Sequence, residues 1–152
     1  MAVNSQFAVA IHTLTLLADV TGDEPITSEY IAGSVNTNPV FIRRILGRLS
    51  KAGLVASHPG VGGGWRLLRA PDAITLLDVY HAIEPEGHLL AMHHSQPNTK
   101  CPIGRNISRV LQVYFGEAEE AFEQKLAQRT ITQVLRMAHQ QAELVNQPGE
   151  PL

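Results

Sequence analysis

Apolar residues near the start of the chain recur at three- and four-residue steps. Phe7, Ala10, Ile11, Leu14, Leu17 and Ala18 fall on one face of a helix over 4–18, with Asn4 or Ser5 available as its N-cap. Gly22 to Pro25 breaks the pattern, and Ile26-Thr27 then offers an apolar residue and an N-cap ahead of SEYIAGSV, a second, short helix. Asn36-Thr37-Asn38-Pro39 opens a third helix that runs to about Ala52, since polar caps precede a proline that a first helical turn tolerates. Ile42, Ile45, Leu46 and Leu49 supply its inward face. Asn38, Val40, Phe41, Arg43, Arg44 and Arg48 are left wholly or partly outward.

The period then changes. Gly53 ends the third helix, Leu54 to His58 reads as a strand, Pro59 to Gly64 as a glycine-rich turn, and Trp65 to Leu68 as the returning strand. This predicts a hairpin. Ala70-Pro71-Asp72 closes it, and Thr75 with Asp78 three residues on makes an acidic variant of the capping box for a helix to about Ile83. Glu84 to Thr99 has weak periodicity and carries Pro85, Gly87, Pro97 and three histidines, so it reads as a linker with a short helical turn in Leu89–His94. Cys101-Pro102 opens the longest pattern, in which Ile103, Ile107, Val110, Leu111, Tyr114, Ala118, Ala121, Phe122 and Leu126 share one stripe. At about 25 residues and about 38 Å, that helix outreaches so small a domain. A partner helix from a second copy is the economical cover, which makes Ile107, Val110, Leu111, Tyr114, Ala118 and Phe122 candidate dimer contacts. Thr130 or Thr132 caps a last helix, and the proline-bearing tail 147–152 is expected to fray.

The expected architecture is mainly α with a small β-hairpin wing: a winged helix-turn-helix domain over 1–84, a linker over 85–100, a dimerisation helix and C-terminal helix over 101–146, and a flexible tail over 147–152. Length and composition agree with one compact domain and an appendage. No apolar run approaches the roughly 20 residues of a membrane span and no charged n-region precedes an apolar core, so a cytoplasmic address is expected.

Charge sharpens one stretch. The chain's formal net charge is −2, yet residues 36–69 hold six basic side chains (Arg43, Arg44, Arg48, Lys51, Arg66, Arg69) and no acidic one. A positive, glycine-tipped device of this kind suits a polyanion, because Lys and Arg release counterions from phosphates. The third helix would place Asn38, Val40, Phe41, Arg43 and Arg44 in a major groove, with Arg43 able to reach guanine and Arg48 nearer phosphate. The wing would bring Val61, Gly62, Gly63 and Gly64 beside or into the minor groove, with His58 and Arg66 near the backbone. The competing reading is a solvated cationic helix face beside an ordinary glycine hairpin. Neither a G-x-S-x-G, an H-E-x-x-H nor a Walker loop is present, so catalysis is not expected.

Helix-turn-helix, then GVGGGWRL, then ITLLDVYHAIE, then a cysteine-proline step into a long helix resembles the Rrf2 family of bacterial winged-helix transcriptional regulators. The resemblance covers nearly the whole chain and is most specific over LSKAGLVASHPGVGGGWRLLRAPDAITLLDV, with Trp65 in an aromatic slot. It implies a homodimer that binds double-stranded DNA. Family members often carry arginine where His58 stands. Several carry a [2Fe-2S] cluster on three cysteines spaced C-x5-C-x5-C, but here Ser95 and Leu89 fall where two of those thiolates would be, so the cluster is not carried over. The chain is similar instead to a subgroup with HHSxPNxxCPIG and a lone cysteine.

That cysteine, Cys101, sits at a helix N-terminus with Lys100 and Arg105 close by and is expected to be oxidisable; structural filler is the plainer reading. A zinc or copper site on His93, His94 and Cys101, with His88 near, is an alternative that no fixed ligand spacing supports. No cofactor is expected. Taken together, the residues and the resemblance predict a DNA-binding regulator, a repressor, dimeric on a palindromic operator and redox-switched at Cys101. The alternatives are a regulator that docks a metabolic enzyme, as some family members do, or a repressor that senses a small molecule or a metal.

Overall fold

The computed structural model describes residues 5–20 and 24–146. Asn4, the break at Gly22 and the tail 147–152 therefore lie outside the described residues. Helix α1 (Gln6–Asp19) buries Ala10, Thr13, Leu14 and Leu17. Thr27 Oγ1 accepts the Tyr30 N–H at 3.2 Å and so caps α2 (Ser28–Val35), which ends on Asn36 in the left-handed region at φ 62°. Asparagine tolerates that conformation better than most side chains. Asn38 Oδ1 accepts the Phe41 N–H at 2.8 Å, Pro39 stands in the first turn, and α3 (Pro39–Lys51) buries Ile42, Ile45, Leu46 and Leu49 completely.

The hairpin forms from β1 (Val55–His58) and β2 (Gly64–Leu67), antiparallel in the register Val55 to Leu67 and His58 to Gly64. A tie that periodicity does not reveal anchors it. Ile26 and Trp65 exchange both backbone hydrogen bonds, at 2.9 and 2.7 Å, so the segment before α2 acts as a third edge of the wing. A 3-10 turn at Pro71–Ala73 follows. Thr75 and Asp78 complete the expected capping box at 3.1 and 2.9 Å, and α4 (Leu76–Ile83) follows.

The expected helical turn in Leu89–His94 does not form. Leu89 and Leu90 are exposed and so bury no face, and the Leu90 N–H is taken by the Glu119 carboxylate at 3.1 Å instead of by a carbonyl one turn back. The linker is strapped along α5 (Pro102–Ala127), a helix of 26 residues in which no residue is fully buried. Reciprocal bonds between Thr130 and Gln133, at 2.9 and 3.3 Å, identify Thr130 as the cap of α6 (Ile131–Asn146). This last helix returns to the N-terminal unit. It packs on α1, Ile131 is fully buried in the common core, and the 74–76 and 129–131 segments are joined by Leu76 N–H to Arg129 O and Ile131 N–H to Ile74 O. No helix among the described residues is long and apolar enough to cross a membrane.

Candidate nucleic-acid interface

The exposed face of α3 follows from its inward one. With Ile42, Ile45, Leu46 and Leu49 fixed in the core, Val40, Arg43, Arg44, Gly47, Arg48 and Lys51 must face outward, and all are exposed. Three of the expected reading residues have other duties. The Asn38 carboxamide oxygen is engaged in the cap, and Phe41 is half-buried against the core. Arg48 is exposed but engaged by its own chain, with Nη1 donating to Gln6 Oε1 at 2.5 Å and to the Ile83 carbonyl at 3.3 Å. It thereby ties α3 to the start of α1 and the end of α4. Arg43 is paired as well, with Glu29 on α2. For Arg44 no hydrogen bond or ion pair exists among the described residues.

In the hairpin, His58 and Arg66 share one face, as the register requires, and Arg66 Nη2 lies 3.3 Å from His58 Nδ1. The glycines have reasons inside the chain. Gly62 takes φ +74°, which side chains disfavour, and a Cβ on Gly64 would lie 2.6 Å from the Ile26 carbonyl oxygen. A Cβ on Gly63 would meet the His58 carbonyl. Gly63 and Gly64 thus lie close against the chain's own backbone, while Gly62, with nothing near its Cβ position, is needed for its backbone angle. Val61 stands fully exposed at the tip.

The Cys101 region is a built turn. Asn98 Oδ1 accepts the Lys100 N–H at 3.0 Å and Asn98 O accepts the Cys101 N–H at 3.3 Å, while Gly104 leaves room for that carbonyl, which a Cβ would approach to 2.3 Å. Asn98 and Gly104 of the PNxxCPIG motif are thus explained by the turn that starts α5, to which Cys101 contributes only its backbone N–H. Cys101 is exposed at the N-cap and makes no side-chain cap bond. Arg105 directs Nε to the Thr99 carbonyl at 2.9 Å. His93 and His94 line a surface cavity of about 390 Å³ with Ser108 and Gln112 of α5, and Cys101 is not part of that lining.

Along α5, Ile103 (71%), Val110 (44%), Val113 (56%) and Tyr114 (61%) are exposed. Ile107 and Leu111 are half-buried and Ala118 exposed. Phe122 differs, because it packs edge-on against Tyr80 of its own chain with centroids 5.3 Å apart, and Tyr80 meets Phe7 at 5.5 Å. Burial, reinforced by Glu84, Glu119 and Glu123, raises the Tyr80 hydroxyl above its usual pKa. The Glu119 carboxyl is held below its usual range, first by the Leu90 N–H and then by His88, whose Nδ1 lies 3.6 Å away.

Linear charge could not reveal Glu29, Gln6 or Glu119 as partners of these residues. Each lies far along the chain from the group it meets, and only packing joins them. An iron-sulfur cluster on a cysteine triad does not fit this donor set. Leu89 and Ser95 offer no thiolate, and no group of three metal-capable His, Cys, Asp or Glu side chains exists among the described residues.

A model of the Rrf2 family, described as iron-dependent transcriptional regulators, matches residues 3–137. The chain is 42% identical over 133 residues to YwnA of Bacillus subtilis (strain 168), a candidate HTH-type transcriptional regulator, across 88% of this chain and 96% of that protein. It is 37% identical to the crystal structure of a candidate DNA-binding protein, with a TM-score of 0.68 over 86% of this chain and 99% of that one. T. potens IscR, 21% identical, shares the fold with a TM-score of 0.70 over 99% of this chain and 94% of that one. With a match that spans helix-turn-helix, wing and long helix together, the chain belongs to the Rrf2 family of DNA-binding helix-turn-helix transcriptional regulators and is not an enzyme.

Proposed function

We propose that the protein is a cytoplasmic repressor that binds a palindromic operator as a homodimer and is released or re-aimed by oxidation of Cys101. The observation that carries DNA reading is the exposed cationic face of α3 with Arg43 and Arg44, in a chain whose hairpin presents His58 and Arg66 on one side. Arg43 reads a base edge, Arg44 follows phosphate, and the wing tip reaches the neighbouring minor groove. Dimerisation is supported by the apolar stripe that α5 leaves exposed at Ile103, Val110, Val113 and Tyr114. Two copies joined there would set the spacing of two α3 helices, which must match operator half-sites.

Cys101 occupies the step from linker to α5, and it is exposed. A peroxide would transfer one oxygen to the thiolate, giving sulfenic acid and hydroxide; a second thiol would then displace water to leave a disulfide. An adduct at that step alters how the linker sits on α5, and a small rotation of one reading helix against its twin costs much affinity. Genomic footprinting supplies the operator. Wild type and Cys101→Ser are then titrated onto it with and without peroxide. Oxidation is expected to shift wild type alone, and equal binding under all four conditions overturns the switch while leaving operator binding established.

A further inference from the structure

Residues 36–69 contain no acidic side chain, yet folding brings a carboxylate onto the reading helix. Glu29, in the first turn of α2, ion-pairs with Nη2 of Arg43 on the exposed face of α3. The two side chains are 62% and 50% exposed, so the pair contributes little to folding. A carboxylate on a phosphate-binding surface also repels the ligand. The dipole of α2 favours an acid in its first turn, but it does not require that carboxylate to engage Arg43.

We propose that Glu29 is a positioning residue for base readout. Its carboxylate holds the Arg43 guanidinium in one orientation, so that Arg43 discriminates one base pair in each half-site instead of sampling neighbouring phosphates. This rests on the reading of Arg43 as a base-contacting residue. The guanidinium carries five N–H donors in a rigid planar fork. Glu29 takes one of the two N–H groups on Nη2, which leaves four of the five donors for acceptors such as guanine O6 and N7. Arg44, with no carboxylate partner among the described residues, keeps the freedom that a phosphate contact needs.

The test uses the full chain as wild type, Glu29→Ala, Glu29→Gln and Arg43→Ala. Each selects sites from a random duplex library, and affinities are then measured for the wild-type site and all its single-base-pair substitutions. Glu29→Ala is expected to keep the palindrome and to lose about three- to tenfold of discrimination at the same base pair that Arg43→Ala loses. It should also bind unrelated duplex more tightly, with Glu29→Gln falling between. Glu29→Gln keeps the side-chain shape, so it carries the test if the alanine variant misfolds. Full discrimination at that base pair, or an equal loss at every position, overturns the positioning role and leaves the Arg43 reading intact. If Arg43→Ala changes no position, both fall.

Discussion

Arg48, one turn beyond Arg44 on α3, directs its guanidinium onto Gln6 Oε1 and the Ile83 carbonyl, whereas Arg44 bonds to nothing among the described residues. The two arginines should therefore fail differently. Arg44→Ala is expected to flatten the salt dependence of duplex binding, lowering the log-log slope by about 0.9 for each phosphate contact removed, with unchanged melting. Arg48→Ala should leave the slope alone and cost about 1 kcal/mol of stability, read from urea midpoints. Glu119 makes a pH prediction. An unfolded glutamate titrates near 4.5, and the Leu90 N–H and His88 hold the folded one lower. Its contribution to stability is complete above the unfolded value and is lost as pH falls through the folded one. Urea midpoints of wild type and Glu119→Gln should differ at neutral pH and converge in acid; parallel curves down to pH about 3 would refute the strap.

Among the elements, α2 and α3 were legible because caps and periodicity agree: Thr27, Asn36, Asn38 and Pro39 each do locally what their chemistry favours. The hairpin was legible too, but not what holds it. The Ile26–Trp65 exchange joins residues far apart in the chain, and period-two patterning carries no sign of a single bridging residue. Gly64 permits that join, since its φ of +153° and a Cβ 2.6 Å from Ile26 O leave no room for a side chain. Gly64→Ala should therefore destabilise the fold by at least about 1 kcal/mol in thermal or chemical melts. Val61→Ala, at the fully exposed tip, should stay within about 0.5 kcal/mol. Equal effects would mean that the wing is not anchored through Ile26. The missing helical turn in Leu89–His94 belongs here as well: a weak local pattern gave way to the Glu119 carboxylate on another element.

For the whole molecule, α5 and α6 do different things with their apolar residues. Helix α6 returns to bury Ile131 in the N-terminal core, while α5 leaves Val110 and Tyr114 exposed and turns Phe122 onto Tyr80. If a second copy covers the exposed stripe, Tyr114→Glu should shift sedimentation equilibrium toward monomer and weaken operator binding with no loss of helix content. Phe122→Glu should instead lower the melting temperature, because it inserts a charge beside Tyr80 within the chain. An unshifted Tyr114→Glu would place the dimer contact elsewhere.

Sequence by itself determined the elements whose causes are local: the capped helices, the glycine turn, the Cys101-Pro102 start of the long helix and the acid-free basic stretch. Those follow from short-range chemistry and period, which neighbours along the chain carry in full. Tertiary structure decided which basic groups remain available on α3. Packing brought Gln6 and Ile83 to Arg48 and Glu29 to Arg43, leaving Arg44 exposed and without a partner among the described residues. Such pairings depend on where separate helices come to rest on one core, and that placement is fixed by the buried faces of α1 to α4 and α6 together.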